Sequence, residues 1–268
     1  MGPMLLHGKT AVIYGGGGAI GGAMARTFAQ EGAHVFIAGR SLDKLERVAA
    51  DIRALGGLVD IAQVDALDTS AVAEHTEQIL TKAGCIDVAA NAIGIVHVQG
   101  PPLAELELDD FLFPLTAYMK ANFNIAKAVA KPMSEQGSGV ILTLSTPGSR
   151  VAGIGFLGYG VTCAATETFS RLLAAELGGR GVRAICLRAD AIPEALPISH
   201  ARTVFEGFAS RAGITVEEMF TARARQGALL QRAPTLREVA EFAAFAASDR
   251  AGAMTGAIAN LTCGMVVD

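Results

Sequence analysis

Six glycines between Tyr14 and Ala23 are the first residues whose spacing points to chemistry: Gly15 to Gly18 in a row, then Gly21 and Gly22. The run Lys9 to Tyr14 before them reads as an apolar strand, and the chain from about Ala19-Ile20-Gly21 onward reads as a helix. A strand passing through glycines into a helix N-terminus makes a pyrophosphate site. Glycine lets the backbone approach the ligand, and the unpaired N–H groups and the helix dipole favour negative charge. Gly16-x-Gly18-x-x-Gly21 has the spacing of a dinucleotide fingerprint. The next strand ends in Gly39-Arg40-Ser41, where an acid commonly holds the adenosine ribose hydroxyls. A guanidinium there favours a 2′-phosphate, and so NADP(H) over NAD(H), because Arg grips phosphate through parallel hydrogen bonds. Asp65 falls at the end of a third strand, where ligands of an open parallel sheet gather. An Asp opening the loop before the next helix is the alternative there.

The elements that must position these residues alternate along the whole chain. Strands are expected at Lys9–Tyr14, His34–Gly39, Leu58–Val64, Ile86–Ala90, Gly139–Leu144, Arg183–Arg188 and Gly256–Leu261. Helices are expected at about Gly21–Gln30, Leu42–Leu55 (capped by Ser41), Thr69–Ala83, Leu108–Met133, Tyr159–Leu177 and Thr235–Ser248. A further amphipathic helical insertion spans 199–227. This order gives an α/β protein with a doubly wound parallel sheet of about seven strands. The chain has 268 residues, no linker-like segment and no internal repeat, so one domain over residues 1–268 is expected. A hydrophobic content of 51% against 18% charged residues suits a sheet buried on both faces. The formal charge of −4, without a Lys/Arg cluster, argues against a nucleic-acid partner. No apolar run is long enough to span a membrane, and Met1 to Thr10 does not read as a signal peptide. Cys85, Cys163, Cys186 and Cys263 are scattered, and the histidines show no ligand spacing, so no metal is expected. These features suggest a soluble, cytoplasmic protein.

Gly15-x-x-x-Ala19-x-Gly21 resembles the Gly-x-x-x-Gly-x-Gly loop of the short-chain dehydrogenase/reductase family, with Ala19 replacing the middle glycine. Asn91-Ala92-Ile93-Gly94 resembles that family's Asn-Asn-Ala-Gly, and Tyr159 lies thirteen residues beyond Thr146. Together with Asp65 and Thr255-Gly256, the resemblance covers almost the whole chain and implies a Rossmann fold. It implies Tyr159 as general acid/base, with Thr146 or Ser145 holding the substrate oxygen. It places Gly15, Gly17, Gly18, Ala19, Ile20, Gly21, Arg40, Ser41, Asp65, Ala66, Asn91, Ala92, Gly94, Tyr159, Cys163 and Ile192 along the cofactor. Asn91 is expected to be chiefly structural, and the methyl of Ala19 to weaken cofactor binding. The resemblance also implies a homodimer or homotetramer built on the helices at about 108–133 and 159–177. Ala164, Ala165, Phe169, Leu172 and Leu173 would present an apolar surface to that contact.

Three chemical parts of the family pattern are replaced. Cys163 stands where a Lys holds the nicotinamide ribose and lowers the Tyr pKa. Tyr118 stands where an Asn is usual; Tyr118 and Asn122 share a helix face, which would allow a rebuilt proton relay. Ala189-Asp190 replaces a Pro-Gly, and Arg188 and Asp190, on one side of the strand end, read as an ion pair or as a cation and an acid placed in the site. Two readings follow. One is an NADP(H)-dependent oxidoreductase acting on a carbonyl or alcohol. The other is a homologue without redox activity, serving as a nucleotide-binding sensor or as a lyase, isomerase or cyclase. Phe205, Phe208, Met219 and Phe220 in the 199–227 insertion suggest an apolar lid over a partly hydrophobic small molecule.

Overall fold

The computed structural model describes residues 4–268; the expectation about a signal peptide rests in part on residues 1–3, outside that range. Strands β1 (Thr10–Tyr14), β2 (His34–Gly39), β3 (Leu58–Gln63), β4 (Val88–Asn91), β5 (Gly139–Ser145), β6 (Val182–Ala189) and β7 (Ala257–Leu261) form one sheet. Their order is β3-β2-β1-β4-β5-β6-β7, and all pairs are parallel. The order reverses between β1 and β4, so a crevice opens at the C-terminal ends of these two strands.

Side chains alternating along the strands feed two separate apolar layers. Ala11 and Ile13 of β1 and Val35 and Ile37 of β2 face helices α1 (Ala19–Gln30), α2 (Leu42–Ala54) and α8 (Leu236–Ala247), through Met24, Phe28, Leu45, Val48 and Ala243. Val12, Tyr14, Phe36 and Ala38 face the other way, onto α3 (Thr69–Ala83), α4 (Leu108–Gln136) and α5 (Leu157–Leu177). Most boundaries fall within two residues of those expected. α4 runs three residues beyond Met133, to Gln136, before left-handed Gly137 ends it. The 199–227 insertion is two helices, α6 (Ala201–Ala212) and α7 (Val216–Gly227), rather than one. Gly213 at φ +67° breaks the run, and a capping box between Thr215 and Glu218 restarts it. The two helices share a small core of their own, in which Phe220 and Val216 pack with Phe205 and Met219.

β6 carries a fully buried arginine. Arg188 is 0% exposed and lies against Glu167 of α5, with Nε and Nη2 donating to its carboxylate at 2.8 and 3.0 Å. Its Nη1 donates to both oxygens of Asp268 at 2.7 and 2.9 Å. Asp190 lies beyond the strand and pairs with Arg223 of α7, at 2.9 Å from Arg223 Nη2. The Arg188–Asp190 pair expected from their alternation therefore does not form: each has a partner from a distant part of the chain. Burial alone would raise the Glu167 pKa, but hydrogen bonds from Arg188, Ser149 and Ser145 bring it below its ordinary value. A depressed carboxylate contributes stability above its unfolded pKa and loses that contribution as pH falls through the folded value. Arg188→Met would leave Glu167 buried without its cation and raise its pKa. Urea denaturation should show a loss of about 3–5 kcal/mol at pH 7 that shrinks towards pH 5, where Glu167 can take a proton. An equal loss at both pH values would show that the pair's charge is not what matters.

Candidate active site

The crevice at the strand-order reversal is a cavity of about 560 Å³ that runs from Arg40 and Ser41 past the glycine turn to Tyr159. Its floor is made by a close backbone crossing. Gly15 adopts φ +82°, and a Cβ there would lie 2.4 Å from the Ala92 carbonyl oxygen just beyond β4. A Cβ at Gly21 would lie 2.3 Å from the Gly15 carbonyl oxygen. Only glycine allows the turn, the start of α1 and the end of β4 to meet this closely. Gly18 takes the N-cap position of α1 without a side-chain cap, so the first N–H groups of the helix are left for an anion. Ala19 opens the helix, and its methyl packs with Ala189, Ile192, Ala195 and Val239. Ala19 thus packs beneath the loop after β6 and also lines the cavity.

At the Arg40 end, the Ser41 side chain makes no capping bond to α2, contrary to expectation, so its hydroxyl is available to a ligand. Lys44, one turn into α2, also lines the cavity, beside Gly17. Asp65 accepts from the Leu67 N–H at 3.0 Å and also lines the cavity, together with Ala66. Asp65 therefore shapes its own loop and faces the cavity as well. Asn91 is buried; its Oδ1 accepts from Ile93 N–H and its Nδ2 donates to Asn122 Oδ1 at 2.7 Å. This ties the end of β4 to α4, the structural part expected of Asn91. The Tyr118 hydroxyl accepts from the Ile95 N–H at 3.2 Å. Tyr118 thus braces the backbone after β4, while Asn122 holds the Asn91 side chain. Gly94 faces the His200 ring so closely that a Cβ there would lie 2.1 Å from His200 Cε1.

At the far end, Tyr159 stands beside Cys163, Thr146 and Tyr118, its ring centroid 6.1 Å from that of Tyr118. Thr146 Oγ1 and Cys163 Sγ are 3.2 Å apart. The Ser145 hydroxyl donates to Glu167 Oε1 at 3.0 Å, and Ser145, like Thr146, lines the cavity. Enclosure of the Tyr159 ring, with Cys163 and Tyr118 beside it, raises its pKa well above the ordinary phenol value. Burial pushes Tyr118 up to about 12 and raises the Cys163 thiol. The cluster is therefore neutral and fully protonated at pH 7. A buried thiol without a neighbouring cation is an inert one.

Several cavity residues were not anticipated. His97 stacks on Tyr159, with ring centroids 4.4 Å apart and planes 24° from parallel. Burial pulls its pKa down to about 4. Gln99 donates to His97 Nε2 at 2.6 Å. These two lie in the loop after β4, where no periodicity marks them. Glu167, behind the cavity wall and not in it, did carry a signal, since it lies one turn beyond Cys163 on the same face of α5. Phe205 and Phe220 from the insertion line the cavity, whereas Phe208 stacks on Phe156 at 4.4 Å and Met219 packs within the insertion. Among the described residues no cluster of side chains could hold a metal, and no helix is long and apolar enough to cross a membrane.

Known proteins share this sequence and fold. The family model described as enoyl-(acyl carrier protein) reductase matches residues 17–266. A 3-oxoacyl-[acyl-carrier-protein] reductase of Thermotoga maritima is 28% identical over 98% of this chain and 100% of its own length. D-threitol dehydrogenase of Mycolicibacterium smegmatis is 30% identical over 66% of this chain and 68% of its own. A 7α-hydroxysteroid dehydrogenase solved with NADH and 7-oxoglycochenodeoxycholic acid superposes with a TM-score of 0.85 at 25% identity, over 99% of this chain and 97% of that one. The glycine crossing beneath the cavity, the Tyr159–Thr146 pair at its end and the match over nearly all the chain together show that the protein belongs to the short-chain dehydrogenase/reductase family.

Proposed function

We propose that the protein is an oxidoreductase that interconverts a carbonyl and an alcohol with a nicotinamide dinucleotide, NADP(H) in preference to NAD(H). The observation that carries this reading is the placing of Tyr159 and Thr146 at one end of a cavity whose other end is a glycine-cradled helix N-terminus. The cradle fits a dinucleotide: uncapped N–H groups face the cavity, and added Cβ atoms would collide with backbone rather than with open space. Gly17, Gly18, Ala19 and Ile20 would hold the pyrophosphate through their backbone. Asp65 and Ala66 would hold the adenine, Arg40, Ser41 and Lys44 the 2′-phosphate, and Ala92, Gly94 and Ile192 the remainder. Gly15 and Gly21 shape the turn, and Asn91 keeps the end of β4 in place. When bound, the dinucleotide supplies or accepts the hydride.

Thr146 orients the substrate oxygen, and Tyr159 gives it a proton in reduction. Because the Tyr159 pKa is raised, the tyrosine enters reduction already protonated. Oxidation needs its phenolate, and Cys163 contributes no cation to stabilise that form. The relatives' names, dehydrogenases and reductases, support this reading over the sensor, lyase, isomerase and cyclase alternatives. We also propose a homodimer or homotetramer in the cytoplasm. Leu172 of α5 is 65% exposed and Phe123 of α4 is 54% exposed, whereas Phe169 and Leu173 pack into the core. The contact surface is therefore narrower than the α5 sequence suggests. The four cysteines are all free thiols, which suits a reducing compartment.

Two experiments test the reading. If Arg40 grips the 2′-phosphate, NADPH should raise the melting temperature more than NADH. Arg40→Asp should remove or invert that preference, by about 1–3 kcal/mol for a lost charge-assisted contact. Equal shifts in the unmodified protein would rule the preference out. For the acid, Tyr159→Phe should lower turnover about 10²–10⁴-fold. Alcohol oxidation by the unmodified enzyme should be slow and rise steadily into the alkaline range. Cys163→Lys should bring the rise to lower pH and accelerate oxidation more than reduction. A pH profile unchanged by that substitution would show that Tyr159 does not set it.

A further inference from the structure

The face of Tyr159 is covered by a histidine whose two ring nitrogens are both engaged. His97 stacks on Tyr159 with centroids 4.4 Å apart. Its Nδ1 lies 2.7 Å from the Ile95 carbonyl oxygen, which can only accept, so Nδ1 carries a proton. Its Nε2 lies 2.6 Å from Gln99 Nε2, an amide nitrogen that can only donate, so this ring nitrogen accepts. The two contacts select one state of the ring, uncharged and protonated on Nδ1, because a second proton would set donor against donor. Turning the amide over would call for a charged ring in a buried place with no carboxylate against it. The histidine that pairs with a carboxylate among the described residues is His34, with Asp60.

The surroundings agree with this selection. Burial and the nearby His200 outweigh the Ile95 carbonyl and bring the His97 pKa down to about 4. The other titratable groups beside the two rings are Tyr118 of α4 and Cys163 of α5, both held in their neutral forms. Glu167, behind Cys163, is matched by Arg188. A proton on His97 would therefore set a cation against Tyr159, the part that Cys163 leaves out. A hydrogen bond to the neutral form of a base favours that form, and a cation beside a phenol favours its phenolate. Keeping His97 uncharged thus keeps Tyr159 protonated.

Gln99 is fixed in this task from both sides. It is 5% exposed, and the Gly100 N–H next to it donates to the Gly155 carbonyl at 3.0 Å. From α6, a Cβ at Gly207 would collide with the Gln99 backbone carbonyl.

We propose that Gln99 is a positioning residue for the carbonyl–alcohol chemistry proposed above, on which this inference rests: by donating to His97 Nε2 it holds the ring over Tyr159 uncharged, keeps Tyr159 a proton donor, and so suits the site to reduction over oxidation.

Gln99→Glu keeps the size of the side chain but replaces the donor by an acceptor, which should hold a second proton on His97 Nε2. Nitrogen NMR of the imidazoles, with the His97 signals assigned by their loss in His97→Phe, reads the state of the ring. At pH 7 it should be neutral and protonated on Nδ1 in the unmodified protein, and an imidazolium in Gln99→Glu. The chain has three tyrosines and no tryptophan, so near-ultraviolet tyrosinate absorbance reads the phenols directly. Tyr14 and Tyr118 are pushed up to about 12, so a Tyr159 step moved downwards would emerge ahead of theirs. The step that Tyr159→Phe removes should fall by about one pH unit in Gln99→Glu, the imidazolium being partly offset by its carboxylate. Alcohol oxidation should then rise at correspondingly lower pH. A charged His97 in the unmodified protein at pH 7 would overturn the inference. A neutral His97 in Gln99→Glu, or a charged one that leaves the Tyr159 step in place, would overturn it too. Should Gln99→Glu not fold, Gln99→Leu, which only removes the donor, should raise the His97 titration by about 0.5–1 pH unit, and an unmoved titration would overturn the proposal. If the His97 and Tyr159 titrations move as expected while no ketone or alcohol is turned over, the redox reading fails and the hold of Gln99 on Tyr159 stands.

Discussion

The Arg188–Glu167 pair is the contact on which the chemical end of the site depends. Arg188 is on β6, Glu167 on α5, Asp268 at the end of the chain, and the Ser145 and Ser149 hydroxyls bring in the end of β5 and the turn after it. The guanidinium therefore holds together the strand end carrying Thr146 and the helix carrying Tyr159 and Cys163. A fully buried arginine is stable only because two carboxylates surround it; alone, its desolvation would be prohibitive. The same pairing neutralises it. A cation is buried between β6 and α5, but it is matched by Glu167 and Asp268 and does not stand in for the missing lysine.

That neutrality gives the site its character. Tyr159, Tyr118, Cys163 and His97 all sit in an environment that disfavours charge, and each is pushed towards its neutral form. With all four neutral, the polar groups around the reacting centre act as hydrogen-bond donors and acceptors and not as point charges. In a low-dielectric pocket such bonds are strong when made and expensive when left unmade. Discrimination between substrates then rests on matching donors to acceptors. Arg40 and Lys44 line the opposite end of the cavity, in the region proposed for the phosphates.

Much of this was legible in the sequence, and what was not has a common physical cause. The strands, most helices and the glycine turn are local patterns: apolar alternation, helical spacing and residues that punctuate turns. The cavity end proposed for the cofactor follows from them, because Gly15, Arg40 and Asp65 come just after strands whose position the pattern fixes. Side-chain partnerships across the fold leave no such trace. Arg188 and Asp190 look like partners because they are two residues apart, yet Glu167, Asp268 and Arg223 hold them, and only the assembled sheet brings those residues near. Ser145 and Thr146 are adjacent and chemically alike, and only the assembled fold gives one Glu167 and the other Cys163 as its partner. The insertion reads as one amphipathic run because a helix-breaking Gly213 followed by a cap at Thr215 hardly interrupts its apolar spacing.

The loop after β4 shows the same limit most sharply. His97 and Gln99 have no periodic pattern around them. Their importance depends on Tyr159 arriving beneath His97 from α5 and on Gly207 arriving beside Gln99 from α6. The glycines on either side are what make the arrangement rigid. Gly100 supplies a left-handed backbone, and Gly155 and Gly207 let three segments pack with no side chain between them. Held in place, the Gln99 amide donates to His97 Nε2 and so fixes the ring that stacks on Tyr159. The setting of Tyr159 is therefore a property of backbone packing between the loop after β4, the segment before α5 and α6 as much as of the side chains that touch it.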